Sequence, residues 1–379
     1  MDKTYGVGIV GCGNISTTYF ELAPLFRRLE VRACADLNMD AARERASTYN
    51  VRAETVDELM ADDEIDIIVN LTIPDAHYAI TRRALEAGKH AYSEKPVALS
   101  IDDGKALAVL AGEHGLKVGS APDTFLGGAH QLARSQIDSG AVGRIVAGTA
   151  HVMSHGMEHW HPNPDFFFQP GAGPMLDVGP YYIANLINLL GSATRVGALA
   201  SSASPTRTIS SQPRAGEEIP VGTPTNIHAL VEVANGATVT VSTSWDVWAH
   251  GHAPMELYGT EGSLFVPDPN FFGGEVRASG RSNDIHAVEA WDHPCGRINV
   301  RDRNNGTERA NYRTVGLADM AAAIEEGRDH RCSLERALHG LDIMISILKS
   351  GETGQFVDLT TTCDRPAAFG PEDAAALLK

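Results

Sequence analysis

The 379-residue sequence predicts an α/β protein of two domains. Residues 1–124 form a parallel sheet wrapped by helices. Residues 125–360 form an α/β domain on a mostly antiparallel sheet with helices on one side, and 361–379 are a tail. Three observations predict this. Short apolar runs alternate with helical stretches through the first 120 residues, the pattern of a parallel sheet with helices on both faces. Beyond about Phe125 the strands become two-sided: Ile227, Ala229, Val231 and Val233 precede Asn235-Gly236, and Val239, Val241, Thr243 and Trp245 follow it, which reads as an antiparallel hairpin. The length also suits two domains at ~150 residues each.

The elements follow in order. Tyr5–Val10 (YGVGIV) is a short apolar strand closing on glycines, and a helix runs from about Ile15. Val31–Asp36 (VRACAD) is the second strand, followed by the helix MDAARERAST. Asp66–Thr72 (DIIVNLT) is apolar enough to be buried on both faces. HYAITRRALEAG is a helix that stops at Gly88, a residue suited to the position just past a helix end. HAYSEK is the next strand, Ser100 and Asp103 form a capping box for a helix to about His114, and KVGSAP is a further strand. In the second half GGAHQLARSQIDSG is a helix, RIVAGTAHVM a strand and MELYGTEGSLFVPD a further hairpin. GLADMAAAIEEG and SLERALHGLDIMISILKSG are late helices, and the Ser-, Pro- and Gly-rich stretch 201–224 reads as a surface loop.

Composition excludes several classes of function. A net charge of −17 repels nucleic acid and anionic membranes, and no Lys/Arg run offsets it, so a neutral small molecule is the expected partner. No apolar run reaches the ~18 residues of a membrane helix. The start, MDKTYGVGIVGCG, lacks the basic region, long apolar stretch and cleavage site of a signal peptide, so a cytoplasmic location is expected. The cysteines (Cys12, Cys34, Cys295, Cys332, Cys363) form no CxxC pair and no disulfide framework.

Gly11-x-Gly13-x-x-Ser16 lies between the first strand and the first helix. Gly11 allows the tight turn, and Gly13 lets the backbone approach a pyrophosphate seated on the helix that Asn14 and Ile15 begin. Ser16 replaces the third glycine and is small enough for close packing. This is the fingerprint of a Rossmann dinucleotide-binding domain. Asp36, at the end of the second strand and 25 positions after Gly11, suits the two hydroxyls of an adenosine ribose and repels a 2′-phosphate. Leu37 and Asn38 bring no cation beside it, so NAD is favoured, with NADP open because Arg43 is one turn away. A helix cap or solvated turn is the other reading of Asp36. Thr72 and Pro74 sit at the C-terminal end of the central strand, where ligands bind in open parallel sheets, and His77 begins the next helix beside them; all three are expected at the cofactor.

Glu94 and Lys95 end the strand HAYSEK at the same edge of the sheet, and Pro96 restricts Lys95 to an extended conformation. A partly buried lysine exchanges protons near neutrality; a salt bridge or a snorkelling side chain is the alternative. The Gly-rich start, Glu94-Lys95-Pro96, and GAGPMLDVGPYYI in the second domain together resemble the Gfo/Idh/MocA family. ELYGTEGSL and the helix around ALHGLDIM also fit, so the likeness runs from Tyr5 to about Leu359. The resemblance implies hydride transfer between NAD(P) and a hydroxyl-bearing carbon of a pyranose sugar, glycoside, anhydrosugar or cyclitol. It also implies that the C-terminal α/β domain carries a large, mostly antiparallel open sheet, through which a homodimer or homotetramer is built. Lys95 matches the family's catalytic lysine and Asp177 the aspartate of its D-x-G-x-H motif, with Glu94 supporting the nicotinamide pocket. Here the motif reads Asp177-Val178-Gly179-Pro180-Tyr181, so Tyr181 stands at the usual histidine position. Lys95 and Tyr181 are therefore expected to share proton transfer while Asp177 orients the substrate; a helix N-cap is the simpler reading of Asp177.

The loop HVMSHGMEHWHPNPDFFFQPGAGP is expected to rim the substrate cleft, with His155, His159 and Trp160 as sugar contacts. His155 and His159 have ligand-like spacing, but Gly156 and the prolines Pro162, Pro164 and Pro170 disfavour a regular helix and no cysteine accompanies them, so no metal is expected. Asp123, at the end of the strand KVGSAP, is a further substrate candidate. Two other functions stay open: a glycoside-cleaving enzyme that uses NAD as a transient oxidant at the sugar 3-position, and a non-catalytic sugar-sensing regulator. The intact Glu94-Lys95-Pro96 and the lack of a DNA-binding appendage speak against the regulator.

Overall fold

In the computed structural model, residues 3–282, 284–301 and 306–379 are described. The first strands and helices are β1 (Tyr5–Val10), α1 (Asn14–Leu22), β2 (Leu29–Ala35), α2 (Met39–Tyr49), β3 (Arg52–Glu54), α3 (Val56–Ala61), β4 (Ile67–Asn70), α4 (Pro74–Glu86), β5 (His90–Ser93), α5 (Ile101–His114) and β6 (Val118–Ser120). Their strands make one sheet in the order β3-β2-β1-β4-β5-β6, every pair parallel. Every residue of β1 and β4 is buried, as expected for central strands covered on both faces.

Local chemistry sets the helix ends. The Asn38 side chain accepts from Asp40 N–H at the start of α2, and Thr55 and Glu58 form a full capping box on α3. Ser100 Oγ accepts from Asp103 N–H at 3.1 Å on α5. Gly88 follows α4 with φ +75°, the conformation that favours glycine there. The edge strand β3 and helix α3 are additions to the sequence reading. Three residues of an edge strand are too few to show a period.

The chain continues through α6 (Gly128–Asp138), β7 (Ile145–Met153), α7 (Pro174–Asp177), α8 (Gly179–Leu190), β8 (Ala193–Ser201), β9 (Thr206–Thr208), β10 (Glu218–Pro220), β11 (Asn226–Val233), β12 (Thr238–Ser244), β13 (Met255–Gly259), β14 (Ser263–Val266), β15 (Arg277–Ser279) and β16 (Ile285–Ala287). After β17 (Val300–Arg301) and β18 (Glu308–Arg309) come α9 (Val315–Glu326), α10 (Leu334–Thr353), β19 (Val357–Asp358) and α11 (Pro371–Leu377). A nine-stranded sheet runs β16-β15-β14-β13-β7-β12-β11-β8-β19, antiparallel except for the β7–β12 pair. Along β11 buried and exposed residues alternate, so Ile227, Ala229 and Val231 face the core while His228, Leu230 and Glu232 lie on the open side.

The stretch 201–224 is more than a surface loop. β9 and β10 form an antiparallel ribbon, and Ile209 and Ile219 pack into a core with Phe168 and Trp245. The chain forms two compact units, Met1–Gln131 with Asp292–Leu338 and Pro366–Lys379, and Leu132–Trp291 with His339–Arg365. These depart from a simple division at 124/125 and 360/361, because two later segments return to the first unit. The expected tail is one of them. Phe369 is fully buried, Arg27 N–H donates to Leu377 O at 2.9 Å, and Arg331 Nη2 donates to Ala368 O at 2.8 Å. No helix among the described residues is long and apolar enough to cross a membrane.

Candidate active site

The turn after β1 has the geometry its glycines predict. Gly11 adopts φ +103°, and a Cβ there would lie 2.6 Å from the Leu71 carbonyl, so the protein itself requires glycine. Gly13 differs. Its φ is −72° and a Cβ would meet nothing within 4 Å. The open space beside Gly13 adjoins α1, whose first N–H groups have no partner within the helix. Ser16, fully buried, turns its hydroxyl back to Gly13 O at 2.6 Å.

Gly11, Gly13, Asp36, Leu37, Thr72 and Arg83 line one cavity of about 670 Å³. Asn14, Ile15 and Pro74 sit one or two residues further along the same turns. The Asp36 carboxylate is held by two backbone donors, Cys12 N–H on Oδ2 and Asn38 N–H on Oδ1, each at 2.8 Å. These contacts fix its orientation and fulfil the turn role as well as lining the cavity. Arg43 ion-pairs with Asp40 at 2.9 Å on the surface. Arg83, which the sequence reading missed, ion-pairs with Asp57. The open glycine face, a helix start and an oriented carboxylate suit a dinucleotide's pyrophosphate and ribose.

The loop after β5 and the start of α4 carry the second set of residues. Glu94 Oε1 accepts from Tyr19 OH at 2.9 Å and Oε2 from Lys95 N–H at 3.1 Å, so this carboxylate is anchored by its own unit. Lys95 is partly exposed, and its peptide bond to Pro96 is cis. His77 was expected at the cofactor, but its ring is fully buried. Nδ1 lies 2.6 Å from Pro96 O and Nε2 3.0 Å from Thr72 O, so both nitrogens face backbone.

Asp123, expected at the substrate, is held by backbone donors of its own unit. It is buried, and Oδ2 accepts from Thr314 N–H at 2.9 Å and Gly316 N–H at 3.1 Å, at the start of α9. Burial pushes its carboxyl up to about 6, against the opposing pull of the Gly316 N–H, Arg313 and the Thr314 N–H.

In the second unit, Asp177 ends α7 and Tyr181 lies in the first turn of α8. The N-cap position of α8 is Val178, whose side chain makes no capping hydrogen bond. Both side chains are partly exposed. His155 stacks on Trp248, ring centroids 3.3 Å apart and planes 16° apart, and Trp248 is 82% exposed. Burial, followed by the nearby Arg207 charge, lowers the His155 pKa. His159 and Trp160 are exposed, and Trp160 meets His161 edge-on.

The anchor of this loop was missed. Arg207 pairs with Glu158 at 3.2 Å and Asp246 at 3.3 Å, and donates to His155 O at 3.2 Å and to Trp245 O. The three charged side chains are nearly buried. Their separation along the chain left no local signal. Among the described residues no group of three or more His, Cys, Asp or Glu could hold a metal ion.

Comparison with known proteins follows the same division. Residues 5–121 match the model described as oxidoreductase family, NAD-binding Rossmann fold, and residues 130–265 match the GFO/IDH/MocA C-terminal domain. An uncharacterized oxidoreductase of Schizosaccharomyces pombe is 30% identical over 161 residues, 41% of this chain and 42% of that one, so the match spans less than half of that relative. The levoglucosan dehydrogenase of Pseudarthrobacter phenanthrenivorans is 28% identical over 293 residues, 69% of this chain and 73% of that one. A solved levoglucosan dehydrogenase in complex with NADH superposes with a TM-score of 0.80 at 23% identity, covering 95% of this chain and all of that one, a likeness of fold.

Proposed function

Because the chain belongs to the GFO/IDH/MocA family of oxidoreductases, we propose that it transfers a hydride between NAD and a secondary hydroxyl or ketone of a pyranose sugar, glycoside, anhydrosugar or cyclitol. The observation that carries the reading is the pairing of two features at one edge of the parallel sheet. The glycine turn and Asp36 line a cavity of about 670 Å³ beside β1, and Lys95 lies two residues past the end of β5, two strands away. The 28% identity to a levoglucosan dehydrogenase supports a pyranose or anhydrosugar substrate.

Bound NAD supplies the hydride acceptor. Lys95, as the neutral amine, takes the proton of the substrate hydroxyl as its carbon is oxidised, and returns it in the reverse direction. Tyr181 shares that proton, and Asp177 orients the hydroxyl. Glu94 holds the loop through Tyr19 and its own contact to Lys95 N–H. His155, His159 and Trp160 contact the sugar, with Trp248 backing His155. NAD is preferred over NADP because the Asp36 carboxylate repels a 2′-phosphate, while Arg43 and Arg83 are already paired with Asp40 and Asp57.

The protein works in the cytoplasm as a dimer or tetramer, joined through the open face of the nine-stranded sheet. Exposed Leu199 and Leu230 on that sheet, and Phe356 beside β19, support this. Light scattering behind gel filtration tests the assembly.

The deciding experiment is a reduction screen with NAD and NADP across hexoses, anhydrosugars, glycosides and inositols. NADH formation with a pyranose or cyclitol is expected. Aglycone release without net NADH points to glycoside cleavage, and no turnover with any polyol overturns the proposal.

A further inference from the structure

The loop that carries Lys95 is held by a buried polar clasp. Asn70, the last residue of β4, is fully buried. Its Oδ1 accepts from Thr72 N–H at 3.3 Å and from Thr72 Oγ–H at 2.7 Å. Its Nδ2 donates to His77 O at 2.9 Å and Thr81 Oγ1 at 3.2 Å. Its main-chain carbonyl accepts from Glu94 N–H at 2.8 Å. His77 completes the ring of contacts, its two nitrogens reaching Thr72 O and Pro96 O. The end of β4, the Thr72 turn, the first turn of α4 and the Glu94–Pro96 loop are thus linked in one circuit through the Asn70 hydrogen bonds and the close approaches of the His77 ring.

This circuit reaches functional surface at two points. Thr72 lines the dinucleotide cavity, and Lys95 is the residue before Pro96. A flat imidazole with nitrogens on opposite sides spans two carbonyls on different loops; one N–H donates in the neutral ring, and both do in the cation. A glutamine amide at position 77 still offers donors, but from a single nitrogen. A leucine leaves both carbonyls without this partner.

We propose that His77 is a positioning residue that sets Lys95 relative to the cofactor turn by bridging Thr72 O and Pro96 O. The inference rests on Lys95 being the acid/base group. A displacement of about 1 Å at a reacting group costs up to roughly 10²-fold in rate, so a clasp one residue from Lys95 acts chiefly on kcat.

The test compares His77→Gln and His77→Leu with the unaltered enzyme at a temperature where all remain folded. Expected in both is a fall in kcat of about 10–100-fold, with substrate KM and NADH affinity held within about threefold. Labelling of Lys95 by trinitrobenzenesulfonate, read by peptide mass spectrometry against the other lysines, is expected to change by about threefold or more, since its exposure and orientation set its reactivity. A folded His77→Gln enzyme with unchanged kcat and unchanged Lys95 labelling overturns the inference, leaving His77 a purely structural residue. If His77→Leu does not fold, His77→Gln decides. If the unaltered enzyme oxidises no polyol, the proposed function falls, and Lys95 labelling alone decides the role of His77.

Discussion

Two glycines two positions apart should respond in opposite ways to the same added methyl group. At Gly13 the φ of −72° is open to alanine and the Cβ meets no protein atom within 4 Å. Replacing glycine at a compatible φ stabilises by about 0.4–1 kcal/mol through the unfolded chain. Alanine is a poorer N-cap than glycine by roughly the same amount. Gly13→Ala should therefore leave the ligand-free protein within about 0.5 kcal/mol of its original stability. The methyl instead occupies the approach to the pyrophosphate, and NADH affinity should fall at least about tenfold, or ~1.4 kcal/mol. At Gly11 the φ of +103° costs an alanine about 1–2 kcal/mol. The 2.6 Å approach to the Leu71 carbonyl adds about 1–3 kcal/mol of overpacking. Gly11→Ala should thus lose about 2–5 kcal/mol of stability with no ligand present. Chemical denaturation and NADH fluorescence titration measure the two effects. A Gly13→Ala protein that binds NADH as tightly as the original, or is as unstable as Gly11→Ala, refutes the assignment of this space to the dinucleotide.

Further outcomes follow from other residues. Lys95→Met should reduce turnover by about 10²–10⁴-fold while NADH affinity, measured by fluorescence, stays close to its original value; retained turnover excludes Lys95 as the acid/base group, and an unchanged rate in Tyr181→Phe shows that Lys95 works without the phenol. Asp36→Ala should shift the kcat/KM ratio toward NADP, because the carboxylate that repels a 2′-phosphate is gone. Asp123 has a folded pKa of about 6, above the ~3.9 of an unfolded aspartate, so the stability tied to its protonation is full below pH ~4 and is lost as pH rises through ~6. Asp123→Asn should therefore gain about 2–3 kcal/mol relative to the original protein between pH 4 and pH 7, read from urea unfolding across that range; a constant difference contradicts the shifted carboxyl. Arg207→Met strands nearly buried Glu158 and Asp246 and should cost about 3–5 kcal/mol, with hydrogen exchange rising first in the 154–161 loop.

By itself the sequence determined the parallel first domain, its glycine turn and Asp36. Each strand–turn–helix unit is contiguous in the chain, and its period, caps and glycines are local quantities. The second sheet was also legible where Asn235-Gly236 joins two alternating strands, and Lys95 was marked by Pro96 beside it. Long-range packing decided the rest. Residues 292–338 and 366–379 return to the first unit, where Asp123 meets the start of α9. Arg207 gathers Glu158 and Asp246 from distant loops, and no pattern along the chain announces a charge whose partners are some 40–50 residues away. His77 shows the difference most sharply. Sequence placed it at the right turn, but its two partners are main-chain carbonyls, which every residue possesses, so only the folded backbone could show that the ring serves Thr72 and Pro96.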